Sequence, residues 1–423
     1  MPIKKKDIEL KNQKIVSLTI SVLLFFSPFA LFVNLITVLI FRKFVSFDSV
    51  ILYSILLFFL LWSLTISFRR IKLTTIGIPA FLLLAYFISY AVYPELRVYM
   101  FTSWMDLSGN NTYWLFINAL PAFLLIRQIW NYEILMKYLR GFSIATVLAS
   151  LGTLIIYLSL DEQPAYMYFS YDMLLAVILL LFSFFQGKKT IILLMAILGA
   201  GQMFFCGARG PMLCVGLAIV LYVLFLTDKP TAKILTILFA ALFLLLAFVF
   251  WEPLLNVLAN ISESLGIESR MIEKMRDGTL ADSSGRDSVR SELTPYLSLW
   301  GRGIYGDRGL TEGRHAHNFF LEVMVHYGLI IGSVICIFIV FLLLAGFFTK
   351  DREKKLLFIA FFCSGIVKLM MSSSYVLKEP AFYAMLGICV SCYYKDDVVP
   401  KETKERPKII PVIKLKNQRK RYY

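Results

Sequence analysis

The chain has 423 residues, 59% of them hydrophobic and only 17% charged, with a mean hydropathy of +0.73. That leaves too little polar surface to cover a soluble globule of this size and predicts a polytopic integral membrane protein. A net charge of +15 would point to nucleic acid in a soluble protein; in a membrane chain its distribution reads as topology, so no nucleic-acid partner is expected.

A basic N-terminal tail, residues 1–14, carries Lys4, Lys5, Lys6, Lys11 and Lys14. Apolar runs follow at about 15–41, 51–68, 75–93, 113–126, 142–160, 172–185, 190–206, 212–226, 234–251, 317–348, 356–371 and 381–394. Each is read as a membrane helix, about twelve in all, in an all-α fold. The first run is followed by many others and is read as an anchor, not a cleaved signal peptide.

With a cytoplasmic N-terminus, the inward-facing segments carry about two thirds of the 43 Lys and Arg, as the positive-inside rule requires. Both termini are then cytoplasmic, and 395–423 forms a basic tail, disordered or touching lipid. Helices one to nine occupy 15–251, a large extracytoplasmic loop covers 252–316, and 317–394 holds the last three helices. Segment 127–140, with Trp130, Ile134, Leu135 and Leu139 among Arg127, Lys137 and Arg140, reads as an interfacial helix on the inner face. The six cysteines fall in or beside apolar helices without metal or disulfide spacing and read as packing residues. There is no internal repeat and no glycine-rich nucleotide motif.

The residues suited to chemistry gather on the outer side. All three histidines, His315, His317 and His326, lie where the large loop becomes an apolar helix, and histidine titrates nearest physiological pH. His315 and His317 have no third nitrogen or sulfur ligand nearby, so no metal is assigned. His317, at the mouth, would take a proton from an attacking hydroxyl or bond an anionic leaving group; as an alternative it is a helix-entry residue bonding backbone. His326, with Glu322 four residues before it, reads as a pair satisfying itself inside the bundle.

Arg209, in Cys-Gly-Ala-Arg-Gly-Pro, is either a solvated loop residue or, with exposed backbone N–H groups, an anion site opening the next helix. The loop adds Arg286, Arg290, Arg302 and Arg314 to a mixed-charge surface in which many arginines are solvated or paired. Ser283 to Ser288 begins an ordered helical stretch running to Trp300, followed by a glycine cluster, Gly301 to Gly306, that lets backbone approach a ligand or the helices. Lys368 either snorkels to the surface or faces the interior as a cation for an anionic lipid.

Three patterns resemble the O-antigen ligase and polysaccharide repeat-unit polymerase superfamily. Ala-Arg-Gly at 208–210 resembles its arginine-glycine turn, Gly285-Arg286 with the 301–306 glycines is similar to its outer-loop motif, and His317-Asn318 through Glu322 to Gly328 resembles its histidine-asparagine helix start. Departures are Arg290 where a tryptophan is often found, a shortened spacing to the glycine cluster, and a second glycine one residue late, at Gly332. The resemblance covers about residues 205–335.

The resemblance implies a GT-C-like bundle in the bacterial cytoplasmic membrane and a metal-independent, inverting glycosyl transfer at its outer face, without cofactor. The implied donor and acceptor are undecaprenyl-diphosphate-linked glycans, with a chain-length regulator and a flippase as further partners. His317, Arg209 and Arg286 would be catalytic, and Asn318, Arg290, Arg302, Arg314, His315, Lys368 and Glu322 would bind substrate. The expected product is capsule, O-antigen or another exopolysaccharide. Alternatives are a ligase moving glycan to lipid A core or protein and, in a different class, a polysaccharide or lipid transporter or flippase.

Overall fold

A computed structural model describes residues 2–41, 47–67, 71, 73–100, 112–159, 166–206, 209–228, 230–231, 233–234, 238, 251–264, 269–279, 285–377 and 379–393. Among them the chain is helical, with no strand. The helices named below are α1 (Pro2–Phe41), α2 (Phe47–Ser67), α3 (Leu73–Val92), α4 (Leu115–Ile126), α5 (Tyr132–Ser159), α6 (Tyr166–Phe185), α7 (Thr190–Phe205) and α8 (Arg209–Leu226). The second half holds α9 (Trp251–Ser264), α10 (Arg270–Arg276), α11 (Arg286–Leu293), α12 (Gly306–Leu310), α13 (Phe319–Phe348), α14 (Arg352–Ser364), α15 (Ile366–Leu369) and α16 (Pro380–Tyr393).

Among the described residues, five stretches are long and apolar enough to cross a membrane: Asp7–Leu39, Thr75–Val92, Tyr132–Ser159, Arg209–Leu226 and Phe319–Phe348. Further apolar helices, such as Phe169–Phe185, Thr190–Phe205 and Pro380–Tyr393, are shorter. The run expected at 356–371 is interrupted at Gly365, which separates α14 from α15. The expected span 234–251 and the tail 395–423 lie almost wholly outside the described residues, as do Gly207, Ala208, Ser283 and Ser284.

The arrangement is that of a membrane bundle. The inner helices α4, α14 and α16 and the middle of α6 are buried on all sides, with Phe123, Phe182, Phe358, Phe361 and Tyr383 closed off from any surface. The outer helices instead expose large apolar side chains, among them Phe58 on α2, Phe87 on α3 and Phe341 on α13. Water would penalise such a surface and a bilayer covers it.

Two sequence expectations need correction. Segment 127–140 is not a separate interfacial helix: α5 runs unbroken from Tyr132 to Ser159 because Leu135, Leu139 and Ser143 continue one buried stripe and no proline interrupts it. The first helix starts well before the expected Ile15, since α1 runs from Pro2, and buried Gln13 donates to the Gln128 carbonyl at 2.8 Å.

Helix α3 acts as a rail for the second half of the chain. Tyr86 donates its hydroxyl hydrogen to the Val376 carbonyl (3.1 Å), Tyr93 donates to the Gly301 carbonyl (2.8 Å), and Ser89 Oγ accepts the Ile304 N–H (2.8 Å). These bonds hold the 298–310 segment and the 370–379 segment beside one end of the bundle.

Candidate functional site

The site begins at the start of α13. Asn318 caps it, its side chain accepting the Leu321 N–H at 3.1 Å, as asparagine does at helix starts. Nine residues on, Gly328 adopts φ 80° and ψ 169° and breaks the helix. A side chain there would be strained by the backbone and would press on backbone atoms, with Gly301 N and the Trp300 carbonyl carbon each 2.6 Å from a Cβ. The gap is filled by the 298–303 segment: Arg302 N–H donates to Val325 O (2.9 Å), Gly303 N–H to His326 O (3.1 Å), and Leu329 N–H to Ser298 O (2.9 Å). Gly301 is the matching half, since a Cβ on it would lie 2.6 Å from Tyr327 Cα.

That docking carries Asp307 to His326. Their side chains are 1% and 0% exposed, and His326 Nε2 lies 2.8 Å from Asp307 Oδ1. The other carboxylate oxygen, Oδ2, accepts the Ala316 N–H at 3.1 Å, and His326 Nδ1 meets the Tyr375 hydroxyl at 2.8 Å. Burial works against the Asp307 carboxylate, but His326, by charge and by hydrogen bond, and then Arg308 and His315 bring its carboxyl below the ordinary range. An ionised Asp307 only accepts, which places an N–H on His326 Nε2 toward it. Beside this chain, buried Glu322 accepts from Ser374 through one oxygen, while Oε2 has no partner.

The peptide held by Asp307 lies between His315 and His317, whose rings sit 4.0 Å apart. His317 has φ 49°, an uncommon conformation for a residue with a side chain. Its carbonyl accepts from Arg290 at 2.9 Å, and Arg290 also reaches the Met370 carbonyl at 3.3 Å. Burial, then His315, Arg286 and Arg290, push the His317 imidazolium down to about 3; burial and Arg308 push His315 down to about 4. Both rings are therefore neutral at physiological pH. His317 Nδ1, His315 Nε2 and Arg290 Nε are buried without hydrogen-bond partners, and half-buried Arg286 makes no ion pair or hydrogen bond among the described residues.

Three more elements close on this cluster. Lys368 pairs with Glu379 (2.8 Å) and lies 5.4 Å from the Tyr171 ring centre. Tyr171 packs against Gly210, the second residue of α8, and Arg209 is the first. The fold therefore brings Arg286, Arg290, His315, His317 and Lys368 together, with Arg209 opening the helix alongside. Arg302 and Arg314 stay at the surface, the first over the Tyr296 ring at 5.5 Å and the second paired with Glu292 at 2.8 Å. Asn318 is taken up in capping, and Glu322 is sealed in the interior.

His326 and Glu322 do not satisfy each other as their spacing suggested. The helix break and the docked loop supply nearer partners, Asp307 and Tyr375 for one and Ser374 for the other. The helical stretch expected to reach Trp300 ends at Leu293, with one further turn at Thr294–Tyr296 that contains Pro295. Asp307 escaped sequence reasoning because it sat among the acids of a mixed-charge loop; its position directly after the 301–306 glycines was the available signal. Asp307, Glu322 and His326 offer donor atoms within 4.8 Å of one another, a set able to hold a metal ion by distance alone. Their hydrogen bonds to one another and to Ser374 already occupy most of those atoms. No family model, no curated protein and no solved structure matches the chain.

Proposed function

We propose that the protein is a membrane glycosyltransferase that polymerises undecaprenyl-diphosphate-linked repeat units into capsule, O-antigen or another exopolysaccharide outside the bacterial cytoplasmic membrane. The observation that carries this reading is the meeting of cations with polar atoms that have no partner among the described residues: Arg286 without an ion pair there, Arg290 with Nε unpartnered, and two neutral histidines each with a bare nitrogen. A group of this kind is suited to a diphosphate whose negative charge grows as it leaves.

In the proposed step the acceptor hydroxyl oxygen attacks the anomeric carbon from the face opposite the diphosphate. The carbon–oxygen bond to the diphosphate breaks as the new glycosidic bond forms, which inverts the centre. Arg286, Arg290 and Arg209 offset the charge on the departing oxygen. His317 either accepts the hydroxyl proton or orients the hydroxyl through Nδ1 while the proton passes to the departing diphosphate. Its depressed basicity suits the second role, and the approach of a diphosphate to Arg286 and Arg290 would restore basicity for the first. Asp307 acts at one remove, fixing the Ala316 amide between the two histidines.

The test uses purified protein with lipid-linked repeat units as the sole substrate. A ladder of lengthened products is expected, with His317→Ala and Arg209→Ala leaving single units. Product formed only after a lipid A core or protein acceptor is added would replace polymerase by ligase. No transfer under either condition, with transport of the lipid across vesicles, would place the protein among flippases.

A further inference from the structure

A second feature lies on the flank formed by α1 and α5, helices that run parallel: Phe25 and Phe29 meet Phe142, and further along Phe32 faces Gly152. Between them is a cleft of about 530 Å3 lined by Lys14, Leu18 and Phe29 from one helix and Ile134, Lys137, Tyr138, Gly141, Phe142 and Ala145 from the other. Its composition is graded along its length. Lys14 opens it, Ile134, Lys137 and the half-buried Tyr138 follow, and Gly141, Phe142, Ala145 and Phe29 form the far end.

From Lys14 to Phe29 the cleft runs about 22 Å along α1, and half of a bilayer's hydrocarbon is about 15 Å thick. The stretch from Lys137 to Ala145, about 12 Å, matches the hydrocarbon of one leaflet, and Lys14 lies about 10 Å beyond it, where a headgroup would sit. The trough exists because the α5 wall has small residues there: a Cβ on Gly141 would meet nothing within 4 Å. Both lysines are exposed, and neither forms an ion pair among the described residues, even with Glu133 one turn before Lys137.

We infer that this cleft is a binding site for an anionic phospholipid, the headgroup phosphate held between Lys14 and Lys137 and one acyl chain lying along Leu18, Gly141 and Phe142. Charge selects the occupant. A zwitterionic headgroup would bring its own ammonium beside two lysines, whereas a net-negative one meets only attraction, worth about fivefold in affinity per lysine. The site lies at the end of the bundle opposite the candidate functional site, because α5 runs away from it toward the short connection that leads to α6 and Tyr171. The inference rests on the membrane-embedded reading of the chain but not on glycosyl transfer.

Native mass spectrometry of the full-length protein, released from micelles with equal phosphatidylglycerol and phosphatidylcholine, tests it. The wild type should retain phosphatidylglycerol over phosphatidylcholine by at least tenfold. Lys14→Gln with Lys137→Gln should bring the ratio near one, Lys14→Arg with Lys137→Arg should keep it, and Lys188→Gln with Lys189→Gln should leave it unchanged. Gly141→Leu should lower phosphatidylglycerol retention with both lysines in place. A wild-type ratio near one, an unaltered ratio in the Lys14/Lys137 glutamine variant, or undiminished retention in Gly141→Leu would each overturn the proposal. A protein inactive in glycan transfer would leave all of these outcomes standing.

Discussion

Replacing Asp307 separates the buried hydrogen-bond chain from everything around it. In Asp307→Ala two enclosed donors, His326 Nε2–H and Ala316 N–H, lose their acceptor together. An unsatisfied buried donor costs about 1–3 kcal/mol, and removal of a buried carboxylate returns part of its desolvation cost, so the net loss is about 2–5 kcal/mol. Asp307→Asn keeps the shape but has one acceptor where two are needed. If the amide oxygen keeps Ala316, its NH2 faces His326, which must then give up the Nε2 hydrogen and donate from Nδ1 to Tyr375. The expected loss is about 1–2 kcal/mol, with a change of tautomer. Denaturation in mixed micelles measures the first quantity, and nitrogen NMR of histidine-labelled protein reads the second, since the chain has only 3 histidines. A stability change under about 0.5 kcal/mol in the alanine variant, or an unchanged tautomer in the asparagine variant, would refute the reasoning.

Gly328→Ala is expected to cost about 3–5 kcal/mol, from a disallowed backbone conformation and the loss of one or more of the three bonds closing the break, as read in the same denaturation assay; Gly77→Ala, where a Cβ meets nothing, should be neutral within about 0.5 kcal/mol. The His317 ring should remain neutral in NMR titrations down to about pH 4, and Arg286→Gln should raise its midpoint by removing a neighbouring charge. Because His315 and His317 titrate below the free imidazole value of about 6.5, the unfolded chain binds more protons between that value and theirs. Stability should thus be complete above pH 6.5 and decline as the pH falls toward about 3, where an increase on acidification would contradict their burial as neutral groups.

What the sequence made legible was what repeats or stands out along one dimension. Apolar runs long enough to matter marked the helices, and three histidines at one junction with arginines upstream marked the candidate site. The boundary at Asn318 was readable because a cap is a local interaction. The break at Gly328 was not: its reason is the docking of Ser298 to Gly303, and no property of residues 319–348 alone reveals that partner. For the same reason the spacing of Glu322 and His326, one turn apart, pairs them, while each bonds a residue from another segment. Asp307 and Tyr375 gain their roles only from tertiary placement, and neither residue type is unusual where it stands.

The bonds from α3 have a consequence for how the protein is made. Tyr86, Ser89 and Tyr93 are synthesised early, yet their partners Val376, Ile304 and Gly301 lie 290, 215 and 208 residues further along the chain. Until those segments are translated, Tyr86 and Ser89 on α3 and Tyr93 just after it lack these acceptors and donors. The three bonds can close only after the half bearing the histidines has been synthesised, so this end of the bundle is completed late in translation. A nascent chain arrested before residue 298 would lack all three bonds, with Tyr86, Ser89 and Tyr93 as the marks of an unfinished protein.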